Sequence, residues 1–483
     1  MSEQAPQPGS GTHPHTSVIV AGGGVAALET VLALRALGRE QLAITLLCPS
    51  REMLYRPVTV AEAFDRAQAR SFRIDELLSE QGVPHVHDSL ESVDVASHTL
   101  RTSAGDDLRY DALVIATGAR AVSPLPGALS FGGRDAVPAL RAMLEELVDG
   151  RARSVAFTLT SAQVWTLPIY ELALMTAAHL REHGSDARVT LVTPEPAPLH
   201  MFGPEAALAI GPMLSELGIA LRCLCRPAGV RPGELLLAGG GGVFAERVVC
   251  IPEALGPDLA GLPADANGFI PVDAHGRVSG APGVFAAGDV TALTLKQGGL
   301  ATQQADAVAE MIAHEAGIPI TPRPFSPVLR GLLITPGAPL YLRSEPQRIA
   351  RRTSVAIDDR SRVGARQGAT SIASDQALWW PPAKIAGRYL APYLATARPL
   401  TLTAEPMIDR APIPGPPLRP DEFDDALELA LMLADGDAEW GDYAAALSAL
   451  DAAQSLIGAL PPEYEAKRRL WTAELRGGSG HPA

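Results

Sequence analysis

Cysteine is scarce in this chain: four among 483 residues, Cys48, Cys223, Cys225 and Cys250. Their spacing excludes a disulfide framework, and no CxxC pair offers a redox couple or a zinc site, so no metal is expected. Positive charge is also in short supply, with 40 Lys and Arg against 54 Asp and Glu and a formal net charge of −14. Such a balance argues against nucleic acid and against simple electrostatic attachment to an anionic membrane. No run of about 18 uninterrupted apolar residues occurs, so a spanning helix is not expected and only peripheral membrane contact stays open. Residues Met1 to Thr16 are polar and hold no apolar signal core. The expected location is a reducing cytoplasm, or the inner face of a membrane.

What is present is a globular composition, 47% apolar and 19% charged, long enough for two or three domains. One stretch near the start organises the rest. Ser17-Val18-Ile19-Val20-Ala21 enters Gly22-Gly23-Gly24, and Val25-Ala26-Ala27-Leu28-Glu29 leaves it. This reads as strand, tight turn and helix, and Gly22-x-Gly24-x-x-Ala27 is a dinucleotide fingerprint with Ala in the third glycine place. Such a turn lets a pyrophosphate approach amides at the positive end of a helix. Taken alone, it fits a glycine-rich loop between core elements equally well. Leu42 to Leu47 reads as the next strand, where a closing carboxylate would hold a ribose hydroxyl. Cys48 stands there instead, a small strand-end residue, with Glu52 and Glu40 as substitutes.

Further along, Tyr55-Arg56-Pro57 begins a loop and Ile74 to Gln81 is helical. Pro84 to Val86, Leu90 to Val95 and Leu108 to Tyr110 read as short strands of a small antiparallel insertion. Asp111 to Ala119 is a buried parallel strand ending in a small-residue turn, Ala116-Thr117-Gly118. A second α/β unit starts near Arg151, with strands at Ser154 to Leu159, Ala187 to Val192, Ile219 to Cys225 and Val248 to Ile251. Its helices are Pro168 to His183 and Pro204 to Glu216. Cys223 and Cys225 then share one strand face and read as packing residues. Gly283 to Val290 contains Gly288-Asp289, and a helix follows from about Leu300 to Ala316. Pro322 to Thr335 and Pro339 to Arg343 suggest a third layer, and Arg351 to Ser374 a polar, basic loop. Trp379-Trp380-Pro381-Pro382 with Lys384 and Arg388 reads as interdomain packing, as cover for the face of a bound cofactor, or as a bilayer-interface segment. Beyond a Pro-rich linker, Gly441 to Ala453 resembles one tetratricopeptide helix pair, too short to bury a solenoid core by itself.

Three glycine motifs in order, Gly22-Gly23-Gly24, Ala116-Thr117-Gly118 and Gly288-Asp289, with an α/β unit between the last two, resemble the two-dinucleotide-domain flavoproteins. Within them the chain is similar to the sulfide:quinone reductase and type II NADH dehydrogenase group, over residues 17 to 345. The resemblance implies an α/β fold of two Rossmann-like domains, one inserted in the other, plus a C-terminal segment and an α-helical tail. Residues 1–16 would be a disordered tail, 17–150 with 260–330 an FAD-binding domain, and 151–259 a degenerate second Rossmann-like domain. Residues 331–405 would cap the body or form an interface, and 415–483 would be the helical tail. The same resemblance implies FAD held by Gly22, Gly23, Gly24, Ala27, Pro57, Thr117, Gly118, Gly288, Asp289 and Gln303. Asp289 would accept from the ribityl chain, unless it caps a helix. Lys296, unless it is an exposed loop lysine, and the helix N-terminus at Leu300 would favour negative charge on reduced flavin.

Departures from the family pattern are equally informative. The second α/β turn, Thr158 to Pro168, has no glycine, and Val164 and Trp165 obstruct a pyrophosphate there. No cysteine stands in that turn or after Cys250, so sulfide chemistry by the thiol route is not expected. Glu171 is either a proton-gating carboxylate near the flavin or an exposed residue favoured by its helix dipole. The expected function is an FAD-dependent oxidoreductase passing electrons from an unidentified donor to a quinone or protein acceptor. Alternatives are an NAD(P)H:acceptor oxidoreductase and a flavin-stabilised protein that docks a partner through its helical tail.

Overall fold

The computed structural model describes residues 15–162, 164–345, 371–396 and 460–477, with 447, 450 and 454. They fall into two units, one running to Asp375 and resuming at Ala383–Asp409, the other made of Gln376–Pro382 and Arg410–Ala483. The first unit holds two five-stranded parallel sheets. In the first the strand order is Val284–Ala286, Ala112–Ile115, Thr16–Ala21, Leu42–Leu47, His85–Val86. In the second it is Leu129–Ser130, Arg247–Cys250, Ser154–Thr158, Arg188–Val192, Ala220–Arg222. The fold is therefore α/β with two Rossmann-like sheets, as the sequence predicts. Central strands such as Ala112–Ile115 and Ser154–Thr158 are buried at every position, because parallel sheets are covered on both faces.

The opening helix, Val25–Gly38, packs along the helix Gly298–Glu315. Ala26, Ala27 and Ala33 on the first and Ala301, Ala305 and Ala309 on the second are buried in one core, and such small side chains let the two axes approach closely. Residues Leu329–Leu333, Leu340–Ser344 and Ser371–Ser374 form an antiparallel sheet, so the end of the expected polar loop is a strand. The small insertion has three strands rather than the outer two alone: Thr99–Thr102 pairs between Leu90–Asp94 and Asp107–Arg109. The strand expected over Ile219 to Cys225 covers only Ala220–Arg222. Leu224 takes a positive φ of 56°, which breaks the pleat, so Cys223 and Cys225 do not share a strand face.

A segment from Ala383 to Thr396 is tied down by a buried charge. Glu29 on the opening helix is fully buried and accepts the amides of Arg388, Tyr389 and Leu390 at 2.7, 2.9 and 2.6 Å. Gly387 is required there: a Cβ would stand 2.8 Å from Glu29 Oε2 and 2.9 Å from Thr302 Cγ2. Burial pushes the Glu29 carboxyl up to about 7, against the three amides and the neighbouring Asp306 side chain, whose hydrogen bonds favour its charge. A carboxyl raised in the fold contributes stability below its ordinary value of 4.5 and loses it as pH rises through about 7. Glu29→Ala should cost roughly 3 kcal/mol or more, since each stranded buried amide costs about 1–3 kcal/mol. Glu29→Gln, which keeps an accepting oxygen, should cost less, and wild type should gain on it as the pH is lowered. Equal denaturation midpoints for Glu29→Ala and wild type would remove the anchoring role.

In the second unit Pro462–Gly477 is a helix, with Leu450, Leu460 and Trp471 buried. Most of the tetratricopeptide-like stretch, the tail before residue 15 and the segment 346–370 lie outside the described residues. Trp379 is buried and Trp380 exposed. Among the described residues no helix is long and apolar enough to cross a membrane.

Candidate functional site

The three glycine motifs meet around the start of the opening helix. Gly22 has a φ of +136°, and a Cβ on it would lie 2.2 Å from the Ala116 carbonyl oxygen and 3.1 Å from the Thr117 amide nitrogen. A Cβ on Gly23 would strike Cys48 Sγ at 2.2 Å, and one on Gly288 would lie 2.8 Å from Ala26 Cβ. Gly24 differs: it is exposed, its φ of −94° suits any residue, and nothing lies within 4 Å of its Cβ position. Leu28 donates to the Gly24 carbonyl at 3.0 Å, and no side chain caps the helix. Among the described residues the amides of Gly24, Val25 and Ala26 have no acceptor, and the open space lies at Gly24, so donors and space meet at the start of the helix. Thr117 is exposed and Gly118, at a φ of +78°, also has open space around its Cβ position. This cradle fits an anionic pyrophosphate. Ala27 is buried beneath it, a packing position rather than a contact one.

Beside this turn lies a cavity of about 560 Å³ whose wall includes Pro57, Asp289, Lys296, Gly298 and Lys384. Asp289 sits in a single 3₁₀ turn, Gly288–Val290, and caps no helix. Burial raises its carboxyl, while the charges of Lys296 and Arg56 pull it back. Lys296 is half-buried rather than an exposed loop residue: its Nζ donates to the Thr291 carbonyl at 2.5 Å and lies 3.7 Å from the centre of the Phe269 ring. The helix expected near Leu300 begins at Gly298, with the Gln297 side chain accepting from the Leu300 amide at 2.7 Å. Gly298 and Gln297 line the cavity, so the positive helix end faces it. Gln303 is not part of the wall. Its amide is engaged by Gly299 O, Val328 O and Val328 N at 2.7, 2.9 and 2.9 Å, which ties the helix to the antiparallel sheet.

Glu171 is neither exposed nor at the wall. It is fully buried in the helix Leu167–Glu182, and its Oε1 accepts from Lys384 Nζ at 2.5 Å and from the Ile334 amide at 2.8 Å. Its Oε2 is buried with no hydrogen-bond partner among the described residues. Lys384, with a side chain 6% exposed, stands between Glu171 and the cavity. Burial raises the Glu171 carboxyl and lowers the Lys384 ammonium, and each charge partly restores the other. Their proton affinities are thereby drawn together, as a proton relay requires. Sequence reasoning placed Lys384 at an interdomain or bilayer face, because its partner lies 213 residues away.

The corresponding turn of the second sheet carries side chains where the first carries glycines, and Thr160, Ser161, Val164 and Trp165 line the cavity. Thr166 and Leu167 at the start of its helix are buried, and Trp165 packs edge-on to Phe202 with centroids 5.6 Å apart. Thr160 Oγ1 donates to Glu253 Oε1 at 2.6 Å, and both residues line the cavity. At the end of the strand Arg188–Val192, Glu195 is buried and accepts from Tyr170 Oη at 2.7 Å and Thr193 Oγ1 at 2.9 Å. Burial pushes its carboxyl up to about 7. None of the four cysteines lines the cavity.

Residues 16–307 match the family described as pyridine nucleotide-disulphide oxidoreductase. An NADH dehydrogenase-like protein of Mycobacterium tuberculosis is 31% identical over 231 residues, 45% of this chain and 58% of that protein. The sulfide-quinone reductase of Aquifex aeolicus is 28% identical over 187 residues, 37% of this chain and 43% of its own. The chain thus matches less than two thirds of the length of these relatives. Among solved structures, the A. aeolicus sulfide:quinone oxidoreductase superposes with a TM-score of 0.63 at 21% identity, covering 74% of this chain and 87% of that one. A ferredoxin reductase of Rhodopseudomonas palustris gives 0.52 at 20%, covering 69% and 82%. At these identities the structural likeness is one of fold. The family match, which takes in both parallel sheets and more than half of the sequence, is decisive: the chain belongs to the pyridine nucleotide-disulphide oxidoreductase family.

Proposed function

We propose that the chain is an FAD-dependent oxidoreductase that passes two electrons from a donor other than a nicotinamide dinucleotide to a quinone or protein acceptor. The observation that carries this reading is the contrast between the two turns. Gly24 has open space at its Cβ position beside amides without an acceptor among the described residues, while the second turn has no glycine and puts Val164 and Trp165 on the cavity wall. The family typically binds FAD, and FAD when bound supplies two-electron redox chemistry. The Gly22–Gly24 turn and the first amides of the opening helix would hold its pyrophosphate, and the backbone at Thr117-Gly118 would pass close beside it. Asp289 would accept a hydrogen bond from the ribityl chain. The Gly298 helix end and Lys296 would favour negative charge at the cavity wall. Lys384 Nζ would give a proton to the acceptor, its N–H bond breaking as the acceptor's O–H forms, and the neutral amine would be reprotonated by water from the cavity while the Glu171 carboxylate holds the ammonium in place, which makes Lys384 the catalytic residue and Glu171 a positioning one. The wall also carries Arg226 and Glu253, candidates for contact with the donor.

The test is reconstitution with FAD followed by anaerobic stopped-flow against a panel of donors, read at the flavin absorbance. Reconstituted protein should be yellow, and NADH, NADPH and sulfide should fail to bleach it rapidly. Rapid bleaching by either nicotinamide cofactor would establish the dinucleotide dehydrogenase alternative, and failure to take up FAD would end the reading altogether.

A further inference from the structure

At the far edge of the first sheet three side chains unused by this chemistry bring candidate ligand atoms to one place. Asp75 lies in the first turn of the helix Ile74–Glu80, and His85 and His87 flank Val86 where the strand His85–Val86 ends. His85 Nδ1 is 2.7 Å from Asp75 Oδ1, His87 Nε2 is 3.5 Å from the same oxygen, and all three ligand atoms lie within 4.8 Å of one another. The two imidazole centroids are 3.7 Å apart.

The hydrogen bonds around this trio decide what it suits. His85 Nε2 faces the Cys48 carbonyl at 2.9 Å. A carbonyl accepts only from N–H, so this assigns the ring proton to Nε2. Nδ1 lies 2.7 Å from a carboxylate oxygen, a gap that either a proton, making His85 an imidazolium, or a metal cation would fill. A proton would serve His85 and Asp75 alone. His87 brings a third candidate ligand nitrogen to 3.5 Å from the same oxygen. The other carboxylate oxygen, Asp75 Oδ2, accepts from Arg51 Nη1 at 3.1 Å. A histidine whose second nitrogen is held by a backbone carbonyl, beside a carboxylate whose second oxygen is also held, is the supporting arrangement of metal sites. Ligand atoms about 2.0–2.1 Å from a tetrahedral zinc stand roughly 3.3 Å apart, so the 3.5 Å pair is in place, while the 2.7 Å pair must open and the two rings, with centroids 3.7 Å apart, must splay to roughly 5 Å as the metal enters. His87 and Asp75 are 33% and 26% exposed, which leaves an entry path and a position for water.

We propose that Asp75, His85 and His87 form a binding site for a borderline divalent transition metal of the zinc class, with three protein ligands and one open position. Cys48 connects it to the glycine turn, since its carbonyl orients His85 and its Sγ packs under Gly23. The site is separate from the cavity and does not depend on the redox reading.

Untagged full-length apoprotein titrated with Co²⁺ should develop the visible absorption of a low-symmetry site at one equivalent per chain, and Zn²⁺ should abolish it. His87→Gln, at a partly exposed position, should weaken binding at least about tenfold without changing thermal unfolding, and Arg51→Met should weaken it about 10–100-fold through loss of support for Asp75. A His13→Gln, His15→Gln double variant should bind as wild type. Absence of the band, binding only at millimolar Co²⁺, or a band lost with His13 and His15 but kept in His87→Gln would each overturn the proposal, leaving an imidazolium–carboxylate pair.

Discussion

Valine in place of Gly24 should leave the apoprotein folded and abolish FAD retention. The backbone at Gly24, φ −94° and ψ −170°, is extended and open to any residue, and its Cβ position meets nothing within 4 Å. The new side chain would instead occupy the open space at the start of the helix, where the amides of Val25 and Ala26 have no acceptor among the described residues. Losing two charge-assisted hydrogen bonds of about 1.5–3 kcal/mol each amounts to more than a hundredfold in affinity. Alanine at Gly22 makes the contrasting control. Its Cβ would lie 2.2 Å from the Ala116 carbonyl at a φ of +136°, so the apoprotein itself should lose about 3 kcal/mol or more. Flavin absorbance after gel filtration and thermal unfolding of both apoproteins separate the two effects. Wild-type FAD affinity in Gly24→Val would show that the cradle is not a pyrophosphate site.

Lys384→Met should be the most damaging change at the cavity. It leaves Glu171, fully buried, without the cation 2.5 Å away, and breaking a buried pair costs about 3–5 kcal/mol. The loss has a definite pH dependence. The Glu171 carboxyl is already raised by burial, and removing the ammonium raises it further. A group raised in the fold contributes stability below its ordinary value, here 4.5, and loses it as pH rises through the folded value. Lys384→Met should therefore unfold far more readily at roughly pH 8 than near pH 5, and adding Glu171→Gln should recover much of the loss at the higher pH. Glu171→Gln alone keeps an oxygen for the Ile334 amide but gives up the charge that holds the Lys384 ammonium. With its flavin spectrum unchanged, it should slow single-turnover reoxidation by a soluble quinone about 10²–10⁴-fold. A Lys384→Met variant with a pH-independent stability loss and a wild-type reoxidation rate would show that the pair is structural packing alone.

The outer limits of this molecule were legible in its residues because they rest on local sterics. Three glycines between a β-branched run and a helix-forming run specify a turn that side chains would block, and the missing glycine between Thr158 and Pro168 specifies one that they do block. Those stretches, with the apolar runs around them, determined the α/β fold with its two parallel sheets. Tertiary structure decided which charges meet. Glu171 reads the same in sequence whether it faces solvent or Lys384, and a separation of 213 residues leaves no periodicity to find. Glu29 looks like an ordinary helix residue until the amides of 388–390 arrive, and Gln303 looks like a cofactor ligand until Val328 claims it. Asp75, His85 and His87 carry no motif spacing and converge only when a sheet edge and a helix start come together. Glycine turns are written in backbone geometry, which neighbours in sequence control. Ion pairs and ligand sets depend on burial and distance, which belong to the folded chain.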